Sequence, residues 1–165
     1  MKSVGFEPIE APAAKVLVLG TLPSEESLRR REYYAHPSNA FWPIMEAIFG
    51  IPATLPYQER SRRLAGAGVA VWDVCAAAHR PGSLDASIRR GSEDPNDFAS
   101  FLTQHSQLKL ICFNGAKAAE LFRKRVKLDT PIRVCELPST SPANAKMRRA
   151  EKIKAWEVIK AECET

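Results

Sequence analysis

Apolar positions come in short unbroken blocks separated by polar, periodic stretches. Residues 15–20 (KVLVLG) form a β-branched apolar run closed by glycine. Residues 69–74 (VAVWDV), 108–113 (LKLICF) and 131–138 (PIRVCELP) repeat the pattern. Runs of this length predict buried strands. The intervening segments predict helices. One spans 40–49, with Ser38 or Asn39 as its cap and Pro43 in the first turn, where a missing N–H costs little; Gly50 and Pro52 stop it. A second covers QERSRRLAGAG (58–68) and ends at glycines. A third begins with Asp94 as N-cap and Pro95 at the first helical position. A fourth covers GAKAAELFRKRV (115–126), and a last amphipathic helix runs from 143 to 161.

Strands alternating with helices imply βαβ units. The expected fold is therefore α/β: a mostly parallel four-stranded central sheet with helices on both faces. The length suits a single domain over 1–165, with no internal repeat or linker. Sheets of this kind bind ligands at the carboxyl ends of their strands. That rule singles out the loops after Gly20, Asp73, Phe113 and Leu137. Each carries unusual residues: GTLPS, WDV leading to HRPGSLD, FNG, and LPSTSPANA.

Charge narrows the partner class. The formal net charge is +5, and between Lys109 and Lys160 there are 13 Lys and Arg against 5 Asp and Glu. Such a bias suits a polyanion or a solvated basic face. No apolar run approaches the ~20 residues of a membrane helix. The start, MKSVGFEPIE, lacks the pattern of a signal peptide, so a cytoplasmic location is expected. The four cysteines (75, 112, 135 and 163) form no C-x-x-C pair, which argues against a zinc ribbon or iron–sulfur cluster and for reduced, buried thiols.

Three stretches carry candidate chemistry. Asn114 follows a buried strand, so its amide can reach a pocket mouth and offer a donor beside an acceptor. Hypoxanthine and uracil both present the complementary edge. An Asn before Gly is also a common turn residue. In LPSTSPANA, the Ser139 and Ser141 hydroxyls and backbone N–H groups ahead of a helix suit phosphate, with Lys146, Arg148 and Arg149 close behind. In YYAHPSNAFW (33–42), His36-Pro37 forces an extended approach that sets Asn39 at the helix mouth. There Tyr33 and Tyr34 can present a ring face to a flat base, while Phe41 and Trp42 pack inward.

Together these stretches resemble the uracil-DNA glycosylase superfamily, and within it the hypoxanthine-DNA (DNA-deoxyinosine) glycosylase branch. The matching motifs are GTLPS (20–24), YYAHPSNAFW (33–42), WDV (72–74), RPGSLD (80–85), FNG (113–115) and LPSTSPANA (137–145), in the family's order and across almost the full chain. The resemblance implies a three-layer α/β/α fold and monofunctional base excision without metal or cofactor. It places the catalytic amide at Asn39, the stacking ring at Tyr34 and base reading at Asn114. In a related mismatch-specific branch an Asn stands two residues after the first motif's Gly; Leu22 occupies that place here and cannot orient water. Many relatives open the second motif with His or Asn and carry a bulky Leu wedge inside it. Here Ser139 and Ala143 stand at those places, leaving Met147 or a basic side chain as a plug for the duplex.

The implied partner is double- or single-stranded DNA containing a deaminated base, bound by a monomer with no membrane. Asn39 would orient water, backbone donors near Thr21 would favour the departing base's charge, and Asn144 would join the phosphate-binding loop. His36 and Asp73 are possible helpers; Asp85 lies on a facing loop. Uracil or xanthine as the excised base remains an alternative, as does a non-catalytic DNA- or nucleotide-binding module.

Overall fold

The computed structural model describes residues 2–79, 84 and 87–165. The RPGSLD stretch, with Asp85, lies outside the described residues except for Leu84. In chain order the elements are β1 (Lys2–Val4), β2 (Val16–Gly20), α1 (Glu25–Arg30), α2 (Phe41–Phe49), α3 (Tyr57–Gly66), β3 (Val69–Asp73), β4 (Cys75–His79), β5 (Asp94–Pro95), α4 (Phe98–Gln104), β6 (Leu110–Asn114), α5 (Ala116–Arg125), β7 (Arg133–Leu137) and α6 (Arg149–Cys163).

Four strands form the expected parallel sheet, in the order β3-β2-β6-β7. Its central strands β2 and β6 are buried at every position, which is why they read as unbroken apolar runs. Alternate residues feed two cores. Val16, Val18, Val69, Val71 and Cys112 point to one face, where Phe41, Ile44 and Met45 of α2, Leu64 of α3 and Trp156 and Ile159 of α6 cover them. Leu17, Leu19, Ala70, Ile111 and Phe113 point to the other, under Phe98 and Phe101 of α4 and Leu121 and Phe122 of α5. Each fully buried side chain of this size contributes about 1.5–3 kcal/mol. The result is three layers, helices on both faces of one sheet.

The register brings Gly20 beside Asp73 and Asn114 beside Leu137. The four strand ends therefore stand together at one edge, as the sequence predicts. Cys112 and Cys135 are register partners on β6 and β7. All four cysteines are free thiols. Burial pushes the Cys112 thiol well above its ordinary range and raises that of Cys163 to about 11.

Several expectations are corrected. A second, antiparallel sheet, β1-β4-β5, sits beside the first. Asp94 and Pro95 belong to it rather than starting a helix; the cap of α4 is Asp97, whose carboxylate accepts from Ser100 N. The last helix starts at Arg149, not near 143, because Ser139 and Ser141 fold the preceding segment into turns. Helix α1, capped by Ser24, was not expected. The cap position of α2 is Ala40, with no side-chain bond; Asn39, one residue earlier, accepts from Phe41 N at 2.9 Å and satisfies the first orphan donor.

Candidate active site

A cleft of about 400 Å³ opens at the carboxyl ends of the parallel strands. It is of the size that small-molecule sites take, roughly 300–1,000 Å³. From the strand ends come Gly20, Asp73 and Asn114; from the loop after β2, Thr21 and Leu22; from the approach to α2, Tyr34 and Asn39; and from the loop after β7, Ser139, Ser141, Ala143 and Asn144. Residues more than a hundred positions apart thus share one site. Tyr33 and Thr140 also border it.

The floor is built by a reciprocal pair. Asn114 is buried and donates from Nδ2 to Thr140 Oγ1 at 2.9 Å, while its Oδ1 accepts from Thr140 N at 2.9 Å. A backbone N–H can only donate, so the amide's orientation is fixed by its neighbour. One hydrogen on Nδ2 and one lone pair on Oδ1 remain, pointing away from each other at opposite ends of the amide, so a single base edge meets one of them. Thr140 was not singled out from the sequence. It is 1% exposed, and its carbonyl also accepts from Ala40 N at 2.9 Å. It therefore ties the floor to the turn that carries Asn39.

Tyr34 and Tyr33 divide the roles assigned to them jointly. Tyr34 lines the cleft with φ at 57°, a left-handed conformation that a bulky residue adopts only under constraint. One face of its ring stacks on Phe41, with centroids 4.2 Å apart. Tyr33 instead belongs to the core. It is 2% exposed, and its hydroxyl lies 3.0 and 2.9 Å from the carbonyls of Phe6 and Glu7. Burial, and next the charge of Asp73, drive its phenol pKa far up, so it stays protonated. Its ring packs in the core and only borders the cleft. Phe41 and Trp42 pack inward as expected.

The serine loop departs from the phosphate cradle expected of it. The N–H groups of Thr140, Ser141, Ala143 and Asn144 are already taken by Asn114 Oδ1, Ser139 Oγ, Ser141 Oγ and Ser141 O, and residue 142 is Pro. What the loop still offers is side-chain donors, the Ser139 and Ser141 hydroxyls among them. The loop is braced from below by Lys152, which is 6% exposed and donates from Nζ to Asn144 O at 2.8 Å. Burial, and then the nearby Arg149, lower its pKa. No local signal marks this lysine among the others of α6.

Lys146, Arg148, Arg149 and His36 lie outside the cleft. Lys146, Arg148 and Arg149 are exposed. A smaller hollow shares Thr140, Ser141 and Asn144 with the cleft and is lined also by Ser38, Met147, Arg149 and Lys152. Arg148 turns to Glu151 at 3.1 Å. His36 sits at the exposed turn, where Nδ1 accepts from Ser38 N at 3.0 Å. Asp73 is buried at the cleft wall. Leu84 stands 57% exposed on the cleft's lining. Among the described residues, no three His, Cys, Asp or Glu side chains gather as a metal-holding group, and no helix is long and apolar enough to cross a membrane.

Comparison with known proteins agrees with this geometry. The family described as the uracil DNA glycosylase superfamily matches residues 8–160. A protein of Methanosarcina acetivorans named hypoxanthine DNA glycosylase is 34% identical over 158 residues, covering 94% of this chain and 96% of its own length. One of the same name from Methanosarcina barkeri is 34% identical over 155 residues, covering 92% of this chain and 94% of its own. A solution NMR structure of a candidate uracil DNA glycosylase from M. acetivorans superposes with a TM-score of 0.84 at 33% identity, over the full length of both chains.

Proposed function

The chain belongs to the uracil DNA glycosylase superfamily, and from that membership we propose that it is a monofunctional DNA glycosylase releasing hypoxanthine from deoxyinosine. The observation that carries this reading is the Asn114 amide, locked by Thr140 at the cleft floor. Its remaining N–H is offered to O6 of hypoxanthine. Adenine carries an amino donor at that place and leaves the buried N–H unpaired, at about 1–3 kcal/mol. The name shared by the two Methanosarcina relatives supports the purine.

A base inside a duplex cannot be attacked at its sugar, so the nucleotide rotates out at a cost of a few kcal/mol. A mispaired inosine lowers that cost. The base enters against Tyr34, whose other ring face is already held by Phe41, and Thr21 and Leu22 wall the pocket. Water adds to C1′ as the bond from C1′ to N9 breaks; the base leaves with the bonding pair, and the water's proton passes to solvent. An amide does not ionise, so Asn39 orients the water and contributes a fixed dipole rather than removing a proton. Asp73 and His36 do not act on the base directly in this scheme. The gap in the duplex is filled by Leu84, the exposed apolar side chain of the cleft, since Ala143 is too short and Met147 lines the neighbouring hollow. That hollow, with Arg149 and Lys152, takes a backbone phosphate. The protein acts as a monomer and needs no metal.

Uracil presents the same edge to Asn114, so excision of uracil is the second reading. The test is a panel of oligonucleotides carrying inosine, uracil or xanthine, incubated with the protein in EDTA and then treated with alkali. Alkali-dependent cleavage at inosine supports the proposal. DNA binding without abasic sites would reduce the protein to a binding module, and rescue by added zinc or magnesium would overturn the metal-free mechanism.

A further inference from the structure

We propose that Thr140 is the positioning residue of this site: its side chain sets the Asn114 amide, and its main chain joins that amide to the Asn39 turn. The inference rests on the function proposed above. Three hydrogen bonds of 2.9 Å converge on this one buried residue. Two of them fix both ends of the Asn114 amide. The third, from Ala40 N to the Thr140 carbonyl, anchors the residue that follows Asn39. Thr140 thus connects the group that reads the base with the turn that holds the water-orienting amide.

The loop around Thr140 is itself held in place. Gly115 takes φ 96° directly after Asn114, and a Cβ there would stand 3.1 Å from Ser139 Cβ. The ends of β6 and β7 therefore approach more closely than a side chain would allow, which is what brings Thr140 within reach of Asn114. Lys152 holds the far side of the loop through Asn144 O. Both supports act on backbone, so the Thr140 hydroxyl is the part that can be removed without dismantling the loop. Without it, Nδ2 of Asn114 loses its buried acceptor. The amide then pivots about its single remaining bond to Thr140 N and loses the fixed direction of the N–H that faces O6.

The test is a double-mutant cycle read as single-turnover release of hypoxanthine from an inosine duplex. Thr140→Val should slow release about tenfold or more, whereas Thr140→Ser, which keeps the hydroxyl, should stay within about threefold of wild type. In an Asn114→Ala background, Thr140→Val should cost less than about twofold, because it acts through the amide already removed. A merely structural residue would give the same loss in both backgrounds. If Thr140→Val melts below the assay temperature, Thr140→Cys, with its weak acceptor sulfur, carries the same cycle. Wild-type rates in Thr140→Val, or a full additional loss on top of Asn114→Ala, overturn the inference while leaving the proposed function intact. A wild-type protein that releases neither hypoxanthine nor uracil overturns the function, and this inference with it.

Discussion

Gly20 and Asp73 are register partners at the ends of β2 and β3, and the Asp73 carboxylate fills the space that a side chain at residue 20 would need. A Cβ there would stand 2.7 Å from Asp73 Oδ1 and 3.0 Å from the Tyr34 hydroxyl. The glycine of GTLPS is thus required for the cleft wall, where it lets a carboxylate and a phenol converge. Gly20→Ala should displace Tyr34 from its Phe41 stack, destabilise the protein by about 1–3 kcal/mol and reduce base release more than this loss of fold explains. Thermal melts paired with single-turnover rates at a temperature where the variant is folded check this. An unchanged rate would show that Tyr34 does not need its present position.

Asn39→Ala should reduce base release by ~10²–10³ while affinity for an inosine duplex stays within a few fold. Part of the change is structural, since Asn39 also accepts from Phe41 N, and losing that bond costs about 1 kcal/mol of stability. Asn39→Asp keeps the acceptor and should melt like the wild type. Release by Asn39→Ala within about threefold of wild type would remove Asn39 from the chemistry.

The strands and the place of the cleft were legible because β2 and β6 are buried on both faces, so their apolar runs are continuous. What was not legible depends on distant partners. Cys75–His79 is an Ala-rich strand because Lys2–Val4 and Asp94–Pro95 pair with it from either side. DPND offers two aspartates, and only the second caps a helix. The serine loop reads as the start of a helix from composition, yet its hydroxyls take the backbone donors that a helix would have used. That Asn114 reaches the cleft was legible, but Thr140, 26 residues away, has no local mark. Tyr33 and Tyr34 are adjacent and alike in sequence, and burial alone separates their roles.

Leu84→Ala tests the wedge. On a duplex the variant should release hypoxanthine about tenfold or more slowly, because the flipped state loses its filler; on single-stranded inosine DNA its rate should match the wild type. Equal losses on both substrates would assign Leu84 to the pocket rather than to the duplex.

Arg148→Ala with Arg149→Ala should weaken binding to all DNA sequences alike. The slope of log affinity against log salt should flatten by about one to two, roughly 0.9 for each phosphate that is no longer neutralised. Titration by fluorescence anisotropy across a salt series reads this directly. An unchanged slope would place the DNA on a different face from α6.

The central claim is the identity of the base, and matched duplexes that differ only in inosine or uracil at one position test it most directly. Measured under single turnover with enzyme in excess, hypoxanthine should be released at least about tenfold faster than uracil, because two fused rings would cover more of the Tyr34 ring than one ring does. Faster release of uracil would contradict the account.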